Sequence, residues 1–106
     1  MTRRESERLS DVLAAIAAIR EYLAEGDLGT PMVFDAVRMR LIEIGEAVKA
    51  LDQDLLDREQ SVPWRLIAGM RDRLAHRYFE SEHSIIEITV TEELDDLEGA
   101  IRRLLV

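Results

Sequence analysis

The sequence predicts an all-α protein, an up-down bundle of four main helices with a short additional helix, folded as a single domain over residues 1–106. Three observations predict it. Apolar residues recur at alternating three- and four-residue steps over long segments, the period of one helix face. Both prolines stand where such a segment begins. The connections between segments are short, as they are between antiparallel neighbours in a bundle. A chain of this length buries roughly 65% of its unfolded surface, so it can fold without a disulfide or a metal.

The first helix is predicted from about Ser6 to Glu25, because Leu9, Val12, Leu13, Ile16, Ile19 and Leu23 form one stripe. Gly26 supplies a left-handed stop. Pro31 fits the first turn of the second helix with Thr30 as its cap. There Phe34, Val37, Leu41, Ile44, Val48 and Leu51 make a seam typical of near-antiparallel helix pairs. Gly45 sits beside that seam. A mid-helix glycine costs about 1 kcal/mol relative to alanine, so close approach of another backbone would account for it. Asp52 to Ser61 reads as a polar connection with a helical turn at Leu55 and Leu56. Pro63 opens the third helix, which runs to about Tyr78. After a polar loop, Ser84 caps a short helix from Ile85 to Val90; a lone strand there would have no partner. Thr91 caps the last helix, whose apolar face is Leu94, Leu97, Ile101, Leu104 and Leu105.

Composition narrows the chemistry. With no cysteine, thiolate zinc sites, cysteine nucleophiles and disulfides are excluded. Glu5, Glu7 and Asp11 interrupt any apolar run after Arg3 and Arg4, and no apolar run approaches a membrane span. The expectation is a cytoplasmic protein with no membrane association. The net charge of −8 argues against a general nucleic-acid coat. Its distribution differs, because Arg65, Arg71, Arg73 and Arg77 stand against one acid, Asp72, within a single stretch. A local basic patch on an acidic body suits a confined phosphate site, although a solvated arginine face is the commoner use of such a cluster.

The third helix carries the candidate constellation. Its core stripe is Ile67, Arg71, Leu74 and Tyr78, with Trp64 and Met70 alongside, so a charge is expected within an apolar face. Arg71 and Tyr78, seven residues apart, point within about 20° of each other. Asp72 and His76, four apart, share an adjacent face. The Asp72 carboxylate could accept from one ring nitrogen, fixing the tautomer and favouring the protonated imidazole. Arg71 and His76 diverge by about 140° on a regular helix. A shared site then needs the long arginine to wrap round, a distorted helix end, or a second copy of the chain. The second copy is preferred here, since it would also cover Arg71. These residue types suit metal-independent RNA cleavage: a histidine takes the ribose 2′-hydroxyl proton, and an arginine stabilises charge on the phosphoryl oxygens. Packing and capping are the ordinary uses of a histidine and a tyrosine near a helix end, and the residues alone leave both readings open.

Other candidates are weaker. Glu80-Ser81-Glu82-His83 has the Glu-x-x-His spacing of di-iron bundles, but no second copy or further inward glutamates accompany it, so no metal site is expected and His83 reads as surface. Glu43 and Glu46 read as a solvated face. The acids of the last helix, Glu92 to Glu98, complement the positive end of its own dipole.

The run Arg71-Asp72-Arg73-Leu74-Ala75-His76-Arg77-Tyr78 resembles the R-x-x-x-x-H-x-Y motif of HEPN-domain ribonucleases, with Asp72 at a position commonly Asn, Asp or His. Val62-Pro63-Trp64-Arg65-Leu66-Ile67-Ala68-Gly69-Met70 and Ile44-Gly45-Glu46-Ala47 are similar to the HepT branch. The resemblance covers the chain from about Phe34 onward. It implies a HEPN fold and an endoribonuclease toxin of a type VII-like toxin–antitoxin pair, acting as a homodimer on RNA without a cofactor and leaving 2′,3′-cyclic phosphate ends. Its partner would be an MNT-type nucleotidyltransferase antitoxin. Carried over, Arg71 and His76 are catalytic, Asp72 and Arg77 support them, and Tyr78 accepts AMP from the antitoxin. Arg77 stands where many relatives have glycine. Arg40, Glu43 and Glu46 are unranked candidates for the same cleft. The alternative is a non-catalytic helical partner subunit of a nucleotidyltransferase.

Overall fold

The computed structural model describes residues 1–76 and 79–106, and the side chains of all of these except 79–82. Arg77 and Tyr78 lie outside the described residues. The chain is all-α, as its periodicity predicts. In order it comprises α1 (Arg3–Glu25), α2 (Pro31–Lys49), the short α3 (Gln53–Leu56) running into a 3₁₀ turn (Asp57–Glu59), α4 (Trp64–Ala75), α5 (Phe79–Ile88), a π-helical segment (Thr89–Glu93) and α6 (Leu94–Leu105). Helix α2 packs against α1 on one side and α4 on the other, and α6 lies along α1.

The apolar stripes become the core. Leu9, Val12, Ile16 and Ile19 of α1, Val37, Leu41, Ile44 and Val48 of α2, Ile67 and Leu74 of α4, and Leu97, Ile101 and Leu104 of α6 are all buried in one cluster. At roughly 1.5–3 kcal/mol for each fully buried aliphatic side chain, this burial dominates what holds the helices together. Gly45 has the reason expected of it. A β-carbon there would lie 2.9 Å from the Arg71 amide nitrogen and 3.0 Å from the Ile67 carbonyl oxygen, so α2 and α4 cross backbone to backbone at the start of the arginine–histidine segment.

Several boundaries differ from expectation. Helix α1 begins at Arg3 rather than Ser6, because Thr2 and Glu5 form a reciprocal capping box. Gly26 adopts extended backbone, not the left-handed conformation, and sits close to α2, where a β-carbon would lie a tight 3.0 Å from Val33 Cγ2. Thr30 occupies the cap position of α2, but its side chain makes no capping bond there. Ser84 and Thr91 cap nothing. Helix α5 begins before Ser84 and continues through the π segment into α6, where the Thr89 and Thr91 hydroxyls donate back to the Ile85 and Glu87 carbonyls. His83 is on helix α5, not in a loop, with its exposed ring stacked on Phe34 at 5.3 Å between centroids. Among the described residues, ionic ties that cross the bundle include Arg20 of α1 with Glu98 and Asp95 of α6, and Arg103 of α6 with Glu59.

Candidate active site

Helix α4 ends at Ala75, with His76 as its cap, earlier than the run to Tyr78 that the apolar pattern suggests. The end is tied down from α2: the buried Arg38 donates through Nη2 to the Leu74 carbonyl at 2.8 Å. Such a carbonyl loses its intrahelical partner where a helix stops, and a cation there also faces the negative end of the helix dipole. Arg38 escaped the sequence reading. Its place between Val37 and Leu41 on a seam was the available signal, since a charged residue inside a buried seam must find a partner.

Asp72 joins the two candidate catalytic residues, through two different groups. Its carboxylate accepts from Arg71 Nη1 at 3.1 Å, and its main-chain carbonyl accepts from His76 Nδ1 at 2.5 Å. A carbonyl oxygen can only accept, so this contact puts a proton on Nδ1 and leaves Nε2 as the nitrogen that can act as a base when the ring is neutral. The expected carboxylate–imidazole bond is therefore replaced by a main-chain one. At the last turn of a helix the carbonyl four residues back lies directly under the capping residue, while the carboxylate has swung to the guanidinium.

Arg71 is not within the buried face. Ile67 and Leu74 are buried, but the Arg71 side chain is 44% exposed and its Nε donates to Glu46 of α2 at 3.1 Å. Glu46, then Asp72, hold the guanidinium charged, and Arg71, then Lys49, hold the Asp72 carboxyl below its ordinary range. The charge that argued for a covering second copy is thus paired within one chain. The long side chain reaches Asp72 on its own helix and Glu46 on α2 at once.

The structure also ranks the α2 candidates. Glu46 reaches the site. Arg40 instead donates to the Tyr22 hydroxyl at 3.1 Å and to Glu43 at 3.0 Å, beside a groove between α1 and α2. The basic patch is divided: Arg73 folds back on the Leu66 and Gly69 carbonyls of its own helix, and Arg65 lines a separate pocket near the start of α4. Among the described residues, no cluster of three or more His, Asp or Glu side chains is placed to hold a metal ion.

The segment thus carries a guanidinium paired with Glu46 and Asp72 and an exposed imidazole held by the Asp72 carbonyl, groups suited to binding a phosphate and to moving a proton. A family model described as "Ribonuclease HepT-like" matches residues 12–104 of the chain. The chain is 32% identical over 108 residues to a "Probable ribonuclease HepT" of Thermococcus cleftensis, covering 98% of each protein. It is 40% identical over 75 residues to a "Putative RNase" of Caldanaerobacter subterraneus subsp. tengcongensis, covering 71% of this chain and 67% of that one. A further relative, from Methanocaldococcus jannaschii and again called "Putative RNase", is 26% identical over 101 residues, covering 92% and 87%. No solved structure matches the chain.

Proposed function

Because the chain belongs to the HepT-like ribonuclease family, we propose that it is a metal-independent endoribonuclease in which Arg71 and His76 act together on the RNA backbone. The single observation that carries this is the Asp72 hinge, which anchors Arg71 by its carboxylate and the His76 ring by its carbonyl. His76 Nε2 takes the proton of a ribose 2′-hydroxyl. The O2′ atom then bonds to the adjacent phosphorus, the P–O5′ bond breaks, and the 5′-oxygen leaves with a proton from solvent. The products carry a 2′,3′-cyclic phosphate and a 5′-hydroxyl. Arg71 stabilises the charge that builds on the non-bridging oxygens, exchanging part of its bonding to Glu46 and Asp72 for the phosphate.

The resemblance extends the proposal to a toxin that works in the cytoplasm as a homodimer and is silenced by a nucleotidyltransferase antitoxin. The Tyr78 hydroxyl would attack the α-phosphorus of ATP and release pyrophosphate. The attached AMP brings a negative phosphate next to arginine-rich sequence, where it competes with the RNA backbone. Expression of wild-type chain should arrest growth and degrade RNA, and folded Arg71→Ala and His76→Ala should do neither. Intact mass after co-expression with the partner should rise by one or more adenylyl groups, and Tyr78→Phe should not be modified. Modification with no RNA cleavage by the unmodified chain would favour the alternative, a non-catalytic partner subunit.

A further inference from the structure

Between the end of α2 and the start of α4 lies a pocket of about 600 Å³ that the chemistry proposed above leaves unused. Its walls include Val48, Leu56, Val62, Trp64 and Ala68, and Lys49 and Arg65 stand among its lining residues. Asp57 also lines it, with its carboxylate accepting from the Gln53 amide at 2.8 Å. The Trp64 indole N–H donates to the Leu56 carbonyl at 3.1 Å and the Glu59 carbonyl at 2.9 Å, which locks the ring as a fixed wall. A slot with an apolar, aromatic wall and two cations, on a chain whose net charge is −8, complements a base attached to a phosphate.

The pocket is separate from the candidate active site but is reached along the same helices. Lys49 follows Glu46 by three residues on α2, and its charge acts on the Asp72 carboxylate. On α4, Arg65, Ala68, Asp72 and His76 succeed one another at three- and four-residue steps and so share a face. Ala68 and His76 are about 12 Å apart along the axis, a distance bridged by a short run of nucleotides.

We infer that this pocket is a substrate subsite, which takes a base of the RNA strand close to the cleaved bond while Lys49 and Arg65 pair with its flanking phosphates. This rests on the ribonuclease reading, but it can be tested apart from it. Trp64 is the single tryptophan, so its fluorescence reports on the pocket. A short 2′-O-methyl RNA keeps the bases and phosphates but lacks the nucleophilic hydroxyl. Its titration should change Trp64 fluorescence saturably, with a Kd raised about tenfold in the Lys49→Gln, Arg65→Gln double variant and a weaker response at higher salt. On cleavable RNA the same variant should raise KM about tenfold and leave kcat within about twofold. His76→Ala should lose cleavage and keep the fluorescence titration. A silent Trp64, or equal Kd and KM in the double variant, overturns the subsite. Wild-type protein that binds the oligonucleotide through Lys49 and Arg65 but cleaves no RNA sustains the subsite and overturns the catalytic reading instead.

Discussion

Asp72 meets its neighbours through a carboxylate on one side and a peptide carbonyl on the other, and the two contacts respond differently to substitution. Alanine at this position removes the Arg71 contact but leaves the carbonyl that orients His76. Asp72→Ala should therefore retain RNA cleavage within about tenfold, whereas His76→Ala should cost the ~10²–10⁴-fold typical of a general base. Initial rates on one RNA substrate decide it, and equal losses would show that the carboxylate does orient the imidazole. Arg71 bonds through Nε and Nη1 at once, a fork that lysine cannot reproduce, so Arg71→Lys should lose nearly as much activity as Arg71→Ala. At this scale the sequence identified residue types and spacing. It left His76 two partners, the Asp72 carboxylate or a carbonyl at the helix end, and the structure shows the carbonyl. It overestimated the burial of Arg71 because the apolar stripe continues past it while the side chain leans out toward Glu46.

At the scale of elements, the crossing of α2 over α4 positions the site. Ala at Gly45 would gain about 1 kcal/mol in helix propensity. Its β-carbon would also collide with the Arg71 nitrogen and the Ile67 oxygen, both backbone atoms that cannot rotate away. Overpacking of this kind costs about 1–3 kcal/mol, and the constrained crossing favours the upper part of that range. Gly45→Ala should lower the Tm by several degrees in a thermal melt, at about 4–8 °C per kcal/mol for a domain of this size. An unchanged or raised Tm would mean that the helices can separate without loss. The glycine was legible in the sequence because it stood beside a seam against its own propensity. The caps around α5 were not, because serine and threonine also serve helix interiors, as Thr91 does by donating to Glu87.

Across the whole molecule, the ties from Arg20 to Glu98 and from Arg103 to Glu59 hold these two carboxyls below their ordinary value of 4.5, mainly through hydrogen bonds from the arginines. Unfolding raises their affinity for protons. Their contribution to stability is therefore complete above the ordinary carboxylate range and is lost as the pH falls through the lower folded values. The denaturation midpoint should hold over about pH 5–8 and fall below it, and Glu98→Gln should blunt the fall and weaken its salt dependence. A midpoint with the same acid limb in Glu98→Gln would remove this tie from the account. In light scattering the wild-type chain should run as a homodimer at tens of micromolar, roughly the concentration at which specific dimers are populated. Monomer alone would restrict the site to the residues of one chain. The bundle itself followed directly from apolar periodicity. The ionic ties did not, because they join residues remote in sequence whose charges looked like an ordinary solvated face.

The most direct test of the central claim, cleavage by Arg71 and His76 without a metal, is the chemistry of the RNA ends. Purified wild-type protein should cut RNA in the presence of a chelator and leave 2′,3′-cyclic phosphate and 5′-hydroxyl termini, while folded His76→Ala yields none. Cleavage that stops with the chelator, leaves 5′-phosphate termini, or persists in His76→Ala would contradict it.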